Sequence, residues 1–266
     1  MNKEKKGKMS EIRTHYMVRL VLRVLLALFY IALYVRDRAQ FEVLRGMAFF
    51  RRFSLLHVLW VIWVLDMLWQ LIPVKNKIAL GSQKLFRFRF RPATGQINYQ
   101  SLRQHVIDTT RSAYKIFLIW AAAVIALTLL HRLSILSDAA LFFVSLAFCI
   151  CDLICVLIWC PFRLIMKNRC CTTCRIFNWD HLMMFSPMIG VRGFYSLSLI
   201  LLAIAVWLVW ELCVMMYPER FWEVSNTALS CANCTDKLCT QYCQKLRDAV
   251  FMDADFQKLK EKLREY

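Results

Sequence analysis

Long apolar runs, separated by segments dense in lysine and arginine, dominate the pattern along this chain. A helix that spans a bilayer needs roughly 20 mostly apolar residues. The pattern predicts five such helices, at about 18–35, 54–74, 113–130, 139–162 and 194–216. Arg19 and Arg23 fall near the start of the first, and Asp66 and Gln70 lie inside the second. Asp152 is the one charge in the fourth, and Glu211 sits near the end of the fifth. Trp and Tyr at several run ends fit an interfacial aromatic belt. The expected fold class is all-α, a multi-pass transmembrane helical bundle of about five spans with a cysteine-rich loop and a small cysteine-rich helical tail.

The polar segments divide the chain into parts. Residues 1–16 form a basic N-terminal segment, 17–216 the bundle, and 217–266 the cysteine-rich C-terminal tail. Within the bundle lie a basic loop, 75–112, and a cysteine loop, 163–193. Basic residues concentrate in cytoplasmic loops. The N-terminal segment and both loops are strongly basic, so the N-terminus is expected in the cytoplasm and the chain in the plasma (cytoplasmic) membrane. The first short loop, Arg36 to Phe53, cuts against this, because it holds Arg36, Arg38, Arg45, Arg51 and Arg52. Five spans would also put the cysteine loop and the cysteine tail on opposite faces. They share a face only if Ile176 to Gly193 dips into the membrane or one span does not cross. Asp180, His181 and Arg192 make that segment costly in lipid. It reads instead as an interfacial amphipathic helix, with Phe177, Met183, Met184 and Phe185 toward the bilayer.

Composition supports the membrane class. Hydrophobic residues make up 59% of the 266 residues, and mean hydropathy is +0.47. Only 6 Gly and 5 Pro interrupt the helices. The formal net charge of +17 would suggest nucleic acid in a soluble protein. Beside apolar spans it points to anionic lipid head groups, and nucleic acid is not the expected partner. A membrane or cytoplasmic protein and a second copy of the chain are candidate partners. Phe86, Phe88 and Phe90 alternate with Arg87, Arg89 and Arg91, the pattern of a strand with an aromatic and a basic face.

The 12 cysteines carry the candidate chemistry. Cys231, Cys234, Cys239 and Cys243 combine a knuckle spacing with two thiols four apart, which share a helix face. Such a set suits a tetrahedral zinc site or a four-cysteine iron–sulfur site, although the spacing departs from ferredoxin runs. Two disulfides are the structural alternative. Cys170, Cys171 and Cys174 lie between arginines that favour thiolates, and His181 could complete a zinc set. Their bland reading is a reduced or palmitoylated juxtamembrane loop. Span four adds Cys149, Cys151, Cys155 and Cys160. Asp66, Asp152 and Glu211 read as functional intramembrane groups or as hydrogen-bonding glue, with Arg19, Arg23 and His57 as candidate partners.

No phosphate loop, nucleophile elbow or paired-histidine protease motif occurs, so whether the chain is an enzyme stays open at this level. The leading expectation is a membrane protein whose thiols hold zinc or an iron–sulfur centre, structurally or for electron transfer. Three alternatives stand beside it: a scaffold subunit with a stapled tail, a thiol–disulfide oxidoreductase, and an ion pathway through Asp66 and Asp152.

Overall fold

The computed structural model describes residues 10–73, 79–94, 98–168, 170–234, 236 and 238. They are mostly helical, with no strand among them. Helix α1 (Glu11–Arg36) is followed by a short turn helix α2 (Ala48–Arg51) and by α3 (Leu56–Gln70). A one-turn helix α4 (Leu80–Gln83) precedes the long α5 (Tyr99–Arg132). Then come α6 (Asp138–Leu157), the short helices α7 (Phe162–Met166) and α8 (Asp180–Phe185), and α9 (Phe194–Met216). Helices α1, α5, α6 and α9 are long and apolar enough to cross a membrane, while α3 is a shorter apolar helix.

Local chemistry sets the helix boundaries. Ser10, Asn98 and Ser137 cap α1, α5 and α6, each side-chain oxygen accepting backbone N–H groups of the first turn. Pro218 follows α9 and cannot continue it. Helix α6 stops at Leu157, and Pro161 re-starts the chain as α7. Helix α5 begins fourteen residues before its expected span, because Tyr99 to Ser112 is polar on one face yet still helical in composition. The alternating Phe–Arg stretch is no strand. Arg87–Arg89 forms a 3-10 turn, which stacks the Phe86 and Phe88 rings at 5.8 Å.

Two ends of the bundle can be told apart by what packs there. At the Gly46 end, the turn after α1 meets the start of α9: Gly46 N–H donates to Arg192 O at 2.7 Å, and Phe194 N–H donates to Gly46 O at 3.0 Å. A side chain at Gly193 would run into the Leu44 carbonyl oxygen, 2.0 Å from its Cβ position, so this close approach requires glycine. Tyr30, Phe41, Phe142 and Tyr195 fill the core beneath it. The Ser10 end holds a second core, where Trp179, Trp210, Phe221 and Leu85 meet.

The segment from Ile176 to Gly193 runs from the Ser10 end to the Gly46 end through the interior of the bundle. Trp179 packs on Trp207 and Phe117. His181 then approaches Asp66, Phe185 meets Trp63 at 5.0 Å, and Trp120 donates to the Ser186 hydroxyl at 2.9 Å. Gly190 touches the His131 ring at the end of α5. Met184 and Phe185, expected to face lipid, are buried at 1% and 0% exposure. Protein side chains, not lipid, therefore surround Asp180 and His181, and this removes the cost that argued against a crossing. The passage also reverses the parity of the chain. Leu80 and Ser10 both contact Asp236, so the start of the tail lies at the same end as the start of α1 and the cysteine loop.

Reporter fusions before Ser10 and after Leu238 are thus expected to read from the same side of the membrane. A fusion in the turn at Leu133–Ser137 should read from the other side. Opposite readings at the two termini would contradict the buried crossing.

Candidate functional site

Side chains from four elements meet in a buried ionic network. Arg19 and Arg23 are one turn apart on α1, as are Asp66 and Gln70 on α3, so each pair shares a helix face. Arg23 uses both arms of its fork. Nη1 donates to Asp152 Oδ2 at 3.1 Å and to the Cys149 carbonyl at 2.6 Å, and Nη2 donates to Asp66 Oδ2 at 3.1 Å. Arg19 approaches the other Asp66 oxygen at 3.8 Å. From α8, His181 Nε2 lies 3.5 Å from Asp66 and its Nδ1 lies 3.3 Å from Asp180. Gln70 donates to Asp180 at 3.0 Å. With a proton on His181, three cations face three carboxylates.

Other expected partners go elsewhere. Glu211 takes a two-pronged bond from Arg175, at 2.8 and 2.5 Å, and a third from Trp179 at 2.8 Å. That clamp ties the cysteine loop to α9. His57 stays local, with its ring nitrogens on the Ser54 and Phe49 carbonyls.

A cavity of about 230 Å³ lies against this network. Trp120, Phe148, Phe177, Met183 and Met184 give it an apolar wall, while Asp152 and Asp180 reach it from the ionic network. Cys151, Cys155, Cys160, Cys171 and Cys174 also line it. Cys151 and Cys155 are one turn apart on α6. The break after Leu157 folds Cys160 back to line the same cavity as Cys155. The Cys171 thiol reaches the Cys155 carbonyl at 3.9 Å. A second, smaller cavity on the other side shares Asp152 and Asp180 and is lined by Arg19, Arg23 and Asp66.

The cysteine loop differs from its expected character. Burial pushes the thiols of Cys171 and Cys174 up rather than down, and Arg175, expected to favour thiolates, is committed to Glu211. His181 faces carboxylates, not Cys170, Cys171 or Cys174. Among the described residues no group of three or more His, Cys, Asp and Glu side chains is arranged to hold a metal ion. In the tail, Cys231 and Cys234 flank a 3-10 turn, and Cys239 and Cys243 lie outside the described residues. The two cysteine clusters nevertheless approach one landmark. Short helix α4 packs against the turn at Cys171–Thr173, Leu80 clusters with Ala228 and Leu229, and its backbone N–H donates to the Asp236 carboxylate at 2.7 Å.

Lys84, at the end of α4, is a chemical group that the sequence pattern presents only as loop charge. It is 1% exposed, donates to the Cys174 carbonyl at 3.1 Å, and stands over the Trp210 and Phe221 rings. Burial lowers its ammonium from the ordinary 10.5 to about 7. Nothing in the Gly-Ser-Gln-Lys-Leu-Phe string distinguishes it from its exposed neighbours. The return of Cys160 to the cavity that Cys155 lines does have a sequence signal, Pro161, which ends the helix ahead of it.

Comparison with protein families, curated proteins and solved structures returns no match.

Removing Arg23 strands Asp66 and Asp152 away from water. Arg23→Ala is expected to cost about 3–5 kcal/mol, the range for breaking one partner out of a buried ion pair, read by thermal unfolding in detergent. Arg23→Lys should recover only part, because an ammonium cannot bridge two carboxylates as a fork does.

Lys84 makes stability depend on pH. Unfolded, it keeps its proton up to about 10.5, and folded it loses that proton near 7. Between those values the unfolded chain binds the extra proton, so stability rises with pH by up to about 1.4 kcal/mol per unit from this group. Lys84→Met should remove that rise. The difference in unfolding free energy between the two proteins, measured from pH 7 to 10, should move in favour of the native chain.

Proposed function

We propose that this integral membrane protein works by reversible dithiol–disulfide chemistry at Cys155 and Cys160, with the neighbouring carboxylate network as its proton reservoir. The observation that carries this reading is that those two thiols, from either side of the break in α6, line one cavity together with three further thiols and Asp152. Oxidation joins the two sulfurs and releases two electrons and two protons. Asp152 lines the same cavity and is linked through Arg23 to Asp66 and His181, a chain of groups able to take up and pass protons.

We assign the Ser10 end to the cytoplasm, with the chain in the plasma membrane. Arg13, Arg87, Arg89, Arg163 and Lys167 belong to the segments at that end, as the bias of basic residues toward cytoplasmic loops requires. The arginines of the first loop weigh less against this orientation than their number suggests. Arg45 pairs with Asp138 at 2.5 Å and Arg52 pairs with Glu42. Anionic lipid head groups are the expected contacts of the basic end.

A metal reading stands second, supported by the approach of both cysteine clusters to α4. Cys170, Cys171, Cys174, Cys231, Cys234, Cys239 and Cys243 would then share one face and could hold zinc or an iron–sulfur centre as a structural or electron-transfer site.

Purified protein separates the readings. Titration in mixtures of reduced and oxidised glutathione should convert Cys155 and Cys160 into one intramolecular disulfide, identified by peptide mass spectrometry. Cys155→Ser or Cys160→Ser should abolish it, and Cys213→Ser, outside the cavity, should not. A pair that stays reduced at every ratio overturns the dithiol reading. Stoichiometric metal, lost on any single Cys→Ser change in the clusters, would put the metal reading first. Neither result would leave a non-catalytic membrane subunit.

A further inference from the structure

The dithiol pair needs an oxidant, and the cavity around it has the character of a site for one. We propose that the cavity admits the ring of a membrane quinone, which takes the two electrons of Cys155 and Cys160. The inference rests on the dithiol reading above and adds to it the class of the reaction partner.

Shape and lining argue for a flat apolar ring. Trp120 and Phe148 form one wall, with ring centroids 4.8 Å apart, and Phe177 and Met183 lie among the other lining residues. Aromatic faces and methionine sulfur both stack well on a conjugated ring. The volume of about 230 Å³ falls below the roughly 300–1,000 Å³ that encloses a whole drug-sized ligand. It therefore encloses a head group and leaves an attached chain outside.

The cavity also opens on the right side. Cys151, on its rim, is exposed, and so are Ala147 and Ile158 along the same side of α6. On a membrane-spanning helix such a stripe faces lipid. A molecule dissolved in the bilayer reaches Cys155 from there without entering water. Water-soluble oxidants would have to cross the polar end instead.

The chemistry balances. The Cys155 and Cys160 thiols give up two electrons and two protons, and a bond forms between their sulfurs. The quinone takes up the two electrons, and its two oxygens take up two protons to give the quinol. Asp152 lines the cavity and is bonded to Arg23. It relays a proton between thiol and quinone oxygen and is restored at the end of the cycle. A soluble thiol reductant at the cytoplasmic end then regenerates the pair.

The test uses the full chain, reduced, freed of reductant and placed in lipid nanodiscs without oxygen. The probe is tetramethyl-benzoquinone, whose fully substituted ring resists simple thiol addition. The expected result is one quinol formed per chain, seen as loss of the quinone ultraviolet band, together with a Cys155–Cys160 disulfide. Cys155→Ala and Cys160→Ala should each abolish both signals. Trp120→Ala should raise the half-saturating quinone concentration about tenfold, the size of one lost aromatic stacking contact. A disulfide formed by glutathione but not by the quinone overturns this inference and leaves the dithiol reading standing. No disulfide with either oxidant overturns both. Quinol formed undiminished by the Cys155→Ala and Cys160→Ala proteins overturns the site assignment.

Discussion

A guanidinium cannot be buried without partners, and Arg23 finds its partners on two other helices. Its fork joins Asp66 of α3 to Asp152 of α6, which fixes the faces that α1, α3 and α6 turn toward one another. Such an arrangement adds little net stability over a well-packed apolar core, because desolvation offsets the attraction. What it adds is selectivity: a helix rotated or slipped by one turn leaves a carboxylate unpaired among apolar groups. Asp66 then has a remaining face, and His181 of the internal segment stands beside it. The crossing of Ile176 to Gly193, the shared end of Ser10 and Asp236 and the cavity behind Asp152 all build on that one cluster.

Much of the frame is legible in the sequence. The apolar runs mark α1, α5, α6 and α9, and Asp66 and Asp152 stand out as isolated charges. The boundaries that differ do so for physical reasons. Helix α3 is limited to Leu56–Gln70, and α5 gains a polar first part that a hydropathy criterion ignores. The strand pattern of Phe86–Arg91 gives way to a tight turn, since no second strand among the described residues pairs with it.

The internal segment is the part least legible in the sequence. Hydropathy weighs Asp180 and His181 against lipid, whereas their actual surroundings are Gln70, Asp66 and each other. Only the tertiary fold supplies those partners. Lys84 is hidden for the same reason, because its environment of Trp210, Phe221 and the Cys174 carbonyl comes from three distant stretches of chain. The thiols of the cavity were visible individually. The arrival of Cys160 at the cavity that Cys155 lines depends on the turn after Leu157, and the drawing-in of Cys171 and Cys174 depends on the Arg175–Glu211 clamp.

The length of α5 has a mechanical consequence. Its 34 residues extend about 51 Å, whereas the hydrocarbon layer is about 30 Å thick. The remaining turns belong to the Ser10 end, where His105 stacks on Trp222 at 5.3 Å. One unbroken rod thus links the lipid-embedded part of the protein to the lobe that follows α9. A tilt imposed by a change in bilayer thickness would carry that lobe along as a lever carries a weight, converting the state of the surrounding lipid into a displacement of the cysteine-bearing end.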